Sequence, residues 1–146
     1  MFEIAELMFN QGKSIIIAAS GNSMYPFIRR EIDRVEIFRV AARDIKAYDI
    51  VLVRHSGGYM IRRVYKIDDD DIYVIGDAEV APAGPYSRND IAGKVTVIIR
   101  KGKRVKCSSV VIRLLVFVWG IMRPLRPGMV YIYRKLRNSR MKKNQK

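Results

Sequence analysis

The sequence predicts a mainly β fold, a partly open barrel or a pair of packed sheets, with a short N-terminal helix and a basic helical C-terminal tail. Three observations carry the β prediction: short runs of β-branched residues, turn residues at hairpin spacing between them, and a change of character beyond Lys106. With 146 residues and 49% hydrophobic content the chain is one domain's worth and has enough apolar surface for a core. The implied boundaries are a β domain over 1–106 and a basic amphipathic tail over 107–146.

Phe2 to Asn10 places Phe2, Leu7, Met8 and Phe9 at roughly helical spacing, and Gly12 supplies a stop, which predicts a short amphipathic helix. Ser14 to Ala19, with three consecutive isoleucines, reads as a buried strand. Asp33 to Val40 alternates Val35 and Ile37 against Arg34, Glu36 and Arg39, as a half-buried strand does. Asp49 to Arg54 and Tyr59 to Ile67 flank Ser56-Gly57-Gly58 and predict a hairpin. Asp68 to Asp71 form the next turn; they lack the spacing of a calcium loop and read as a solvated turn. Ile72 to Ile75 is a short strand, Ala78 to Asn89 a loop, and Ile91 to Arg100 the last strand of the body.

In the tail, Val110 to Met122, with Trp119 near its end, predicts a helix of 13 residues, short of the roughly 20 needed to span a bilayer and therefore interfacial or docked on the core. Pro124 and Pro127 break it, and Met129 to Arg137 mixes Tyr131, Tyr133 and Leu136 with Arg134, Lys135 and Arg137 as a second helix suited to a membrane interface. Charge is placed unevenly. Of the 28 basic residues 15 lie from Arg100 onward and 13 before it, whereas all 14 acidic residues lie at or before Asp90, so the first 99 residues carry about −1. Such a tail fits an anionic membrane surface through residues 107–146; no groove-reading motif is present, which ranks nucleic acid last. The single cysteine, Cys107, excludes an internal disulfide framework and a cysteine-based metal cluster. Glu3 and Glu6, with no basic region before an apolar run, argue against a secretory signal peptide. The location expected is cytoplasmic, peripheral on the inner face of the membrane, with a tail anchor through residues 107–122 as the alternative.

The candidate chemistry sits in Ser20-Gly21-Asn22-Ser23-Met24-Tyr25-Pro26-Phe27-Ile28. Gly21 and Asn22 favour a turn, and Pro26 has a fixed φ and no N–H, so the chain bends here and presents Ser23 on a rigid, exposed corner. A serine hydroxyl attacks a carbonyl only when a neighbouring base takes its proton and preorganised donors hold the oxyanion.

That segment, followed by Asp49-Ile50-Val51-Leu52-Val53, Ile61-Arg62-Arg63-Val64, Gly76-Asp77 and Ile91-Ala92-Gly93-Lys94-Val95, resembles the ordered boxes of the signal peptidase I and LexA-like serine peptidase superfamily over roughly residues 14–100. The resemblance implies a β-rich serine endopeptidase body in which Ser23 is the nucleophile and its own N–H helps hold the oxyanion, with Gly21, Asn22, Met24 and Pro26 shaping the substrate and oxyanion corner. It implies a peptide or leader-peptide substrate and no cofactor or metal. The short leading helix and basic tail are similar to small signal-peptidase-like proteins without an N-terminal anchor.

The family places a lysine or histidine base just before an Arg-Val pair, which here is Arg63-Val64. The residue in the base position is Arg62, and a guanidinium holds its proton to a pKa above about 12 and cannot take one from serine. His55, the only histidine, lies at the turn end of the predicted hairpin and is a minor alternative base. Asp77 is either an orienting residue or the ion-pair partner of Arg62, and Tyr48 stands where the family has glycine. Two functions follow: a serine endopeptidase of signal-peptidase type cleaving peptide or leader segments, or a catalytically impaired relative that binds or escorts a peptide. A basic nucleic-acid-binding module ranks third.

Overall fold

The computed structural model describes residues 2–122 together with Leu125, Gly128 and Tyr131, without the side chains of residues 2–5, 42 and 110–112. Apart from Tyr131, the second tail helix expected over Met129 to Arg137 lies outside the described residues. The elements are α1 (Phe2–Asn10), β1 (Ile15–Ala18), β2 (Asp33–Phe38), β3 (Ile50–His55), β4 (Gly58–Asp68), β5 (Asp71–Ile75), β6 (Ala83–Ser87), β7 (Ile91–Arg100), β8 (Lys103–Lys106) and α2 (Val110–Ile121). The strands form one antiparallel sheet in the order β1-β2-β7-β3-β4-β5-β6, curled into a half-barrel, with β8 also pairing to β7.

The expected mainly β class holds, and two strands go beyond it. β6 lies inside the predicted loop 78–89. It reads AGPYS, with no apolar alternation, and exists because β5 offers it an edge. β8 follows β7, so Ile91–Arg100 is not the last strand of the body; its four residues are all exposed and it is held by backbone pairing around the turn at Lys101-Gly102. Propensity and periodicity do not detect strands whose side chains bury little: in β6 Tyr86 alone is partly buried, and in β8 none is.

β3 shows why the sheet has two apolar faces. All of Ile50, Val51, Leu52 and Val53 are buried, and strand alternation divides them. Ile50 and Leu52 join Phe9, Met24, Ile28, Val35, Ile37 and Val95 in one core, while Val51 and Val53 join Ile45, Val64, Ile72 and Val74 in a second. The β3–β4 turn has Ser56 and Gly57 both at positive φ (46° and 77°), as a two-residue hairpin loop with the sheet's right-handed twist requires. Gly93 is needed where β7 passes β2: a Cβ there would come within 2.7 Å of the Ile37 side chain and 2.8 Å of the Phe38 carbonyl oxygen.

Candidate active site

The chain leaves β1 at Ala18, turns through 19–32 and returns as β2. Each end of this loop is tied down. Ala19 N–H donates to the Asp33 carbonyl at 3.1 Å and Glu31 N–H to the Ala19 carbonyl at 3.2 Å. The Asp33 carboxylate, fully buried, accepts from Arg29 N–H at 2.8 Å and from the Nε and Nη2 of Arg100 at 2.8 and 2.6 Å, and the same Nη2 also donates to the Phe27 carbonyl at 2.9 Å. Burial alone would raise the Asp33 pKa, but the Arg100 and Arg29 hydrogen bonds outweigh it and the net shift is downward. Inside the loop Met24 and Ile28 are driven into the core, with 3% and 1% of their surface exposed. Ser23 precedes the first of these anchors and is half-buried rather than exposed, in a corner whose Tyr25–Pro26 bond is cis.

The Gly76-Asp77 box lies directly against Ser23. Ala78 N–H donates to the Ser23 carbonyl at 2.8 Å, and a Cβ on Gly76 would lie 2.6 Å from that same oxygen, so the approach needs glycine. Asp77 is buried and bound side-on by Arg63, Nε to Oδ1 and Nη2 to Oδ2, both at 2.7 Å. Arg63 also donates to the Tyr48 carbonyl at 2.9 Å and lies over the Phe27 ring, 5.3 Å from its centroid. The expected Asp77–Arg62 pair is therefore corrected. Alternation on β4 turns Arg63 to the interior beside Asp77, and Arg62 to the opposite face, where its Nη1 meets Glu79 at 3.2 Å.

Ser23 and Arg62 line one groove of about 920 Å³, between β1 and its following turn on one wall and β3–β4 on the other. Gly21 and Met24 line it as well, whereas Pro26 lines a separate apolar hollow of about 370 Å³ beneath α2. Asn22 is exposed and accepts Tyr25 N–H at 3.1 Å through its carbonyl, closing the turn. Both walls carry open strand edges: β1 ends the sheet, and residues 59–62 of β4 pair only with β3, because β5 takes up the other edge from Arg63 onward.

His55 is not brought to Ser23. It is exposed at the end of β3, paired with Gly58, with its Nδ1 3.3 Å from the Tyr86 hydroxyl and its ring edge-on to Tyr86. Val51 is the residue opposite Arg62, and four residues along a strand put His55 about 13 Å further on. Among the described residues the groove lining includes no lysine and no histidine, and its charged groups are Glu6 and Arg62. Glu6 is held by Arg54 at 2.7 Å.

Tyr48, where the resemblance expects glycine, adopts φ 71°. The turn thus keeps a left-handed residue without glycine, secured by Tyr48 N–H to the Val64 carbonyl and Val64 N–H to the Asp49 carbonyl, both at 2.8 Å. Sequence reasoning passed over Glu79, which binds both Arg62 and, at 3.1 Å, Gly76 N–H. It also gave no role at the site to Trp119, whose Nε1 donates to the Asp77 carbonyl at 2.7 Å and whose ring meets Phe27 edge-on with centroids 6.2 Å apart. Glu79, two residues after the Gly-Asp box, was a visible signal for an arginine partner; nothing in the tail marked Trp119 as a site contact.

A curled antiparallel sheet holding a corner serine against a Gly-Asp loop is the frame of a LexA- and signal-peptidase-like serine peptidase. The family model described as Peptidase S24-like matches residues 1–105, and the chain belongs to that family. A comparison with curated proteins gives no match.

Proposed function

We propose that the groove between β1 and β4 takes up an extended peptide or leader segment as an added strand, passes it across Ser23, and holds it without cutting it. The observation that carries this reading is the groove's ionic lining: Ser23 shares it with an arginine, and among the described residues with no lysine or histidine. Open edges on both walls supply main-chain donors and acceptors, and apolar residues such as Ile15, Ile17 and Ile61 supply pockets for alternate side chains. Serine without a base is a weak nucleophile, and Arg62 cannot be tuned into one as a buried lysine can.

The second reading is a serine endopeptidase of signal-peptidase type. It is favoured by the rigid anchoring of Ser23, which is more than a binding groove needs. Incubation of the protein with a peptide pool, followed by mass spectrometry, separates the two. Intact peptides with the parent, and Ser23-dependent cleavage gained in Arg62→Lys or Arg62→His, are the expected results. Cleavage by the parent that disappears in Ser23→Ala establishes the endopeptidase instead.

The tail reading is a separate proposal: α2 rests on an anionic membrane surface. Leu114, Leu115, Phe117, Val118 and Ile121 are exposed along α2, with Arg113 and the β8 cations Lys103 and Lys106 also exposed. No helix among the described residues is long and apolar enough to cross a membrane.

A further inference from the structure

Arg62 and Arg63 are neighbours on β4 with opposite fates. Arg63 spends the Nε/Nη2 edge of its guanidinium on Asp77, the side-on geometry that suits a carboxylate best. Arg62 reaches Glu79 through Nη1, while its Nε is shielded from solvent and has no hydrogen-bond partner. A buried donor left unmade is costly, and the cost is recovered when an acceptor arrives. The edge that Arg63 uses is therefore unfilled in Arg62, on the β4 wall of the groove that Ser23 lines from the other side.

The sheet sets where a bound chain stops. A peptide added along β4 has an open edge over residues 59–62 and none beyond, because β5 occupies the edge from Arg63. The groove lining likewise ends at Arg62 and takes in nothing of the 76–79 loop, which is packed against the Ser23 carbonyl. A strand running along this edge has to end or turn away at the guanidinium. An α-carboxylate placed there has two oxygens for the arginine fork and for the Ser23 hydroxyl; a terminal amine placed there meets a like charge.

We propose that Arg62 reads the C-terminal carboxylate of the bound peptide, so that the groove selects peptides that end at Ser23 over peptides that continue past it. This rests on the peptide-groove reading above and narrows it to a substrate class, free-acid peptide ends. Arginine in the base position thus exchanges one chemistry for another, proton transfer for carboxylate recognition.

The test is equilibrium dialysis of the full chain against pools of octapeptides randomised over small and apolar residues, read by mass spectrometry. One pool ends in a free acid, a second in an amide, and a third in an amidated aspartate, which separates a main-chain carboxylate from a side-chain one. A charge-assisted hydrogen bond corresponds to a preference of about tenfold for acid over amide. In Arg62→Gln the preference is expected to fall to about twofold or less, and in Arg62→Lys, which keeps the charge and loses the fork, to an intermediate value. Equal retention of acid and amide pools by the parent overturns the inference while leaving the groove reading intact, and so does retention of the amidated aspartate pool equal to the acid pool. Retention of none of the pools overturns the groove reading itself. The acid-against-amide comparison is made on the parent, so it decides the matter even where a variant fails to fold.

Discussion

Replacing Asp77 by alanine is expected to be the most damaging single change near the site that leaves Ser23 and Arg62 in place. The carboxylate is 2% exposed and its partner Arg63 7%, and two 2.7 Å bonds join them. Asp77→Ala strands the guanidinium among Phe27, the Tyr48 carbonyl and core side chains, with one of its three acceptor contacts remaining. Breaking a buried pair from one side costs about 3–5 kcal/mol, because the surviving charge has lost both water and its counter-ion. For a chain of this size that corresponds to a fall in melting temperature on the order of 10 °C or more. Urea unfolding followed by circular dichroism measures it, and the double variant Arg63→Met/Asp77→Leu is expected to recover most of the loss, since an apolar pair of similar volume need not be desolvated as ions are. A loss below about 1 kcal/mol for Asp77→Ala is what a screened, solvated pair gives, and would refute the claim that this pair is buried and essential to the corner.

Tyr48→Gly is expected to stabilise the protein by up to about 1 kcal/mol, since relief of the left-handed strain, about 1–2 kcal/mol, exceeds the entropy glycine adds to the unfolded chain, about 0.5–1 kcal/mol. Tyr48 is 54% exposed, so little packing is lost, and denaturant midpoints check the sign. Burial pushes the Cys107 thiol up to about 11 against the nearby Arg63 charge, so alkylation of the folded protein by iodoacetamide at pH 8 is expected to be far slower than in urea. A folded pKa above the unfolded value also means that this thiol's contribution to stability is complete below about pH 9 and declines as pH rises toward 11. Flotation with vesicles containing anionic phosphatidylserine is expected to carry the full chain upward, and Leu114→Glu/Phe117→Glu to abolish it; equal flotation of parent and variant removes α2 as the contact.

The strands that bury side chains were legible. Ile15–Ala18, Asp33–Phe38, the β3–β4 hairpin and Ile91–Arg100 all carry β-branched residues, and the structure finds each within a residue or two of the expected bounds, although the first, expected to be buried, is a half-buried edge strand with Ile16 50% exposed. β6 and β8 were not, because their stability comes from a neighbour's edge. At the site, the ordered motifs gave Ser23, Arg62 and Asp77 as one constellation, and the structure brings Ser23 and Arg62 to one groove with Asp77 in the loop against Ser23. What the motifs could not give was the partner of each charge. Arg62 and Arg63 are adjacent letters, and only the pleat of β4, fixed by Val51 opposite Arg62 and Ile50 opposite Arg63, decides which one turns inward to Asp77.

The contact between Trp119 and the Asp77 carbonyl gives the protein an optical handle on its own site. Trp119 is the single tryptophan of the chain, and its indole N–H is bonded to the loop that also clasps the Ser23 carbonyl. Its emission is thus a local signal rather than an average. A peptide that shifts the Gly76–Glu79 loop, or a vesicle that draws α2 away from Phe27, changes the surroundings of the same ring. Occupancy of the groove and seating of the tail can be followed in an unlabelled protein by the colour of one residue.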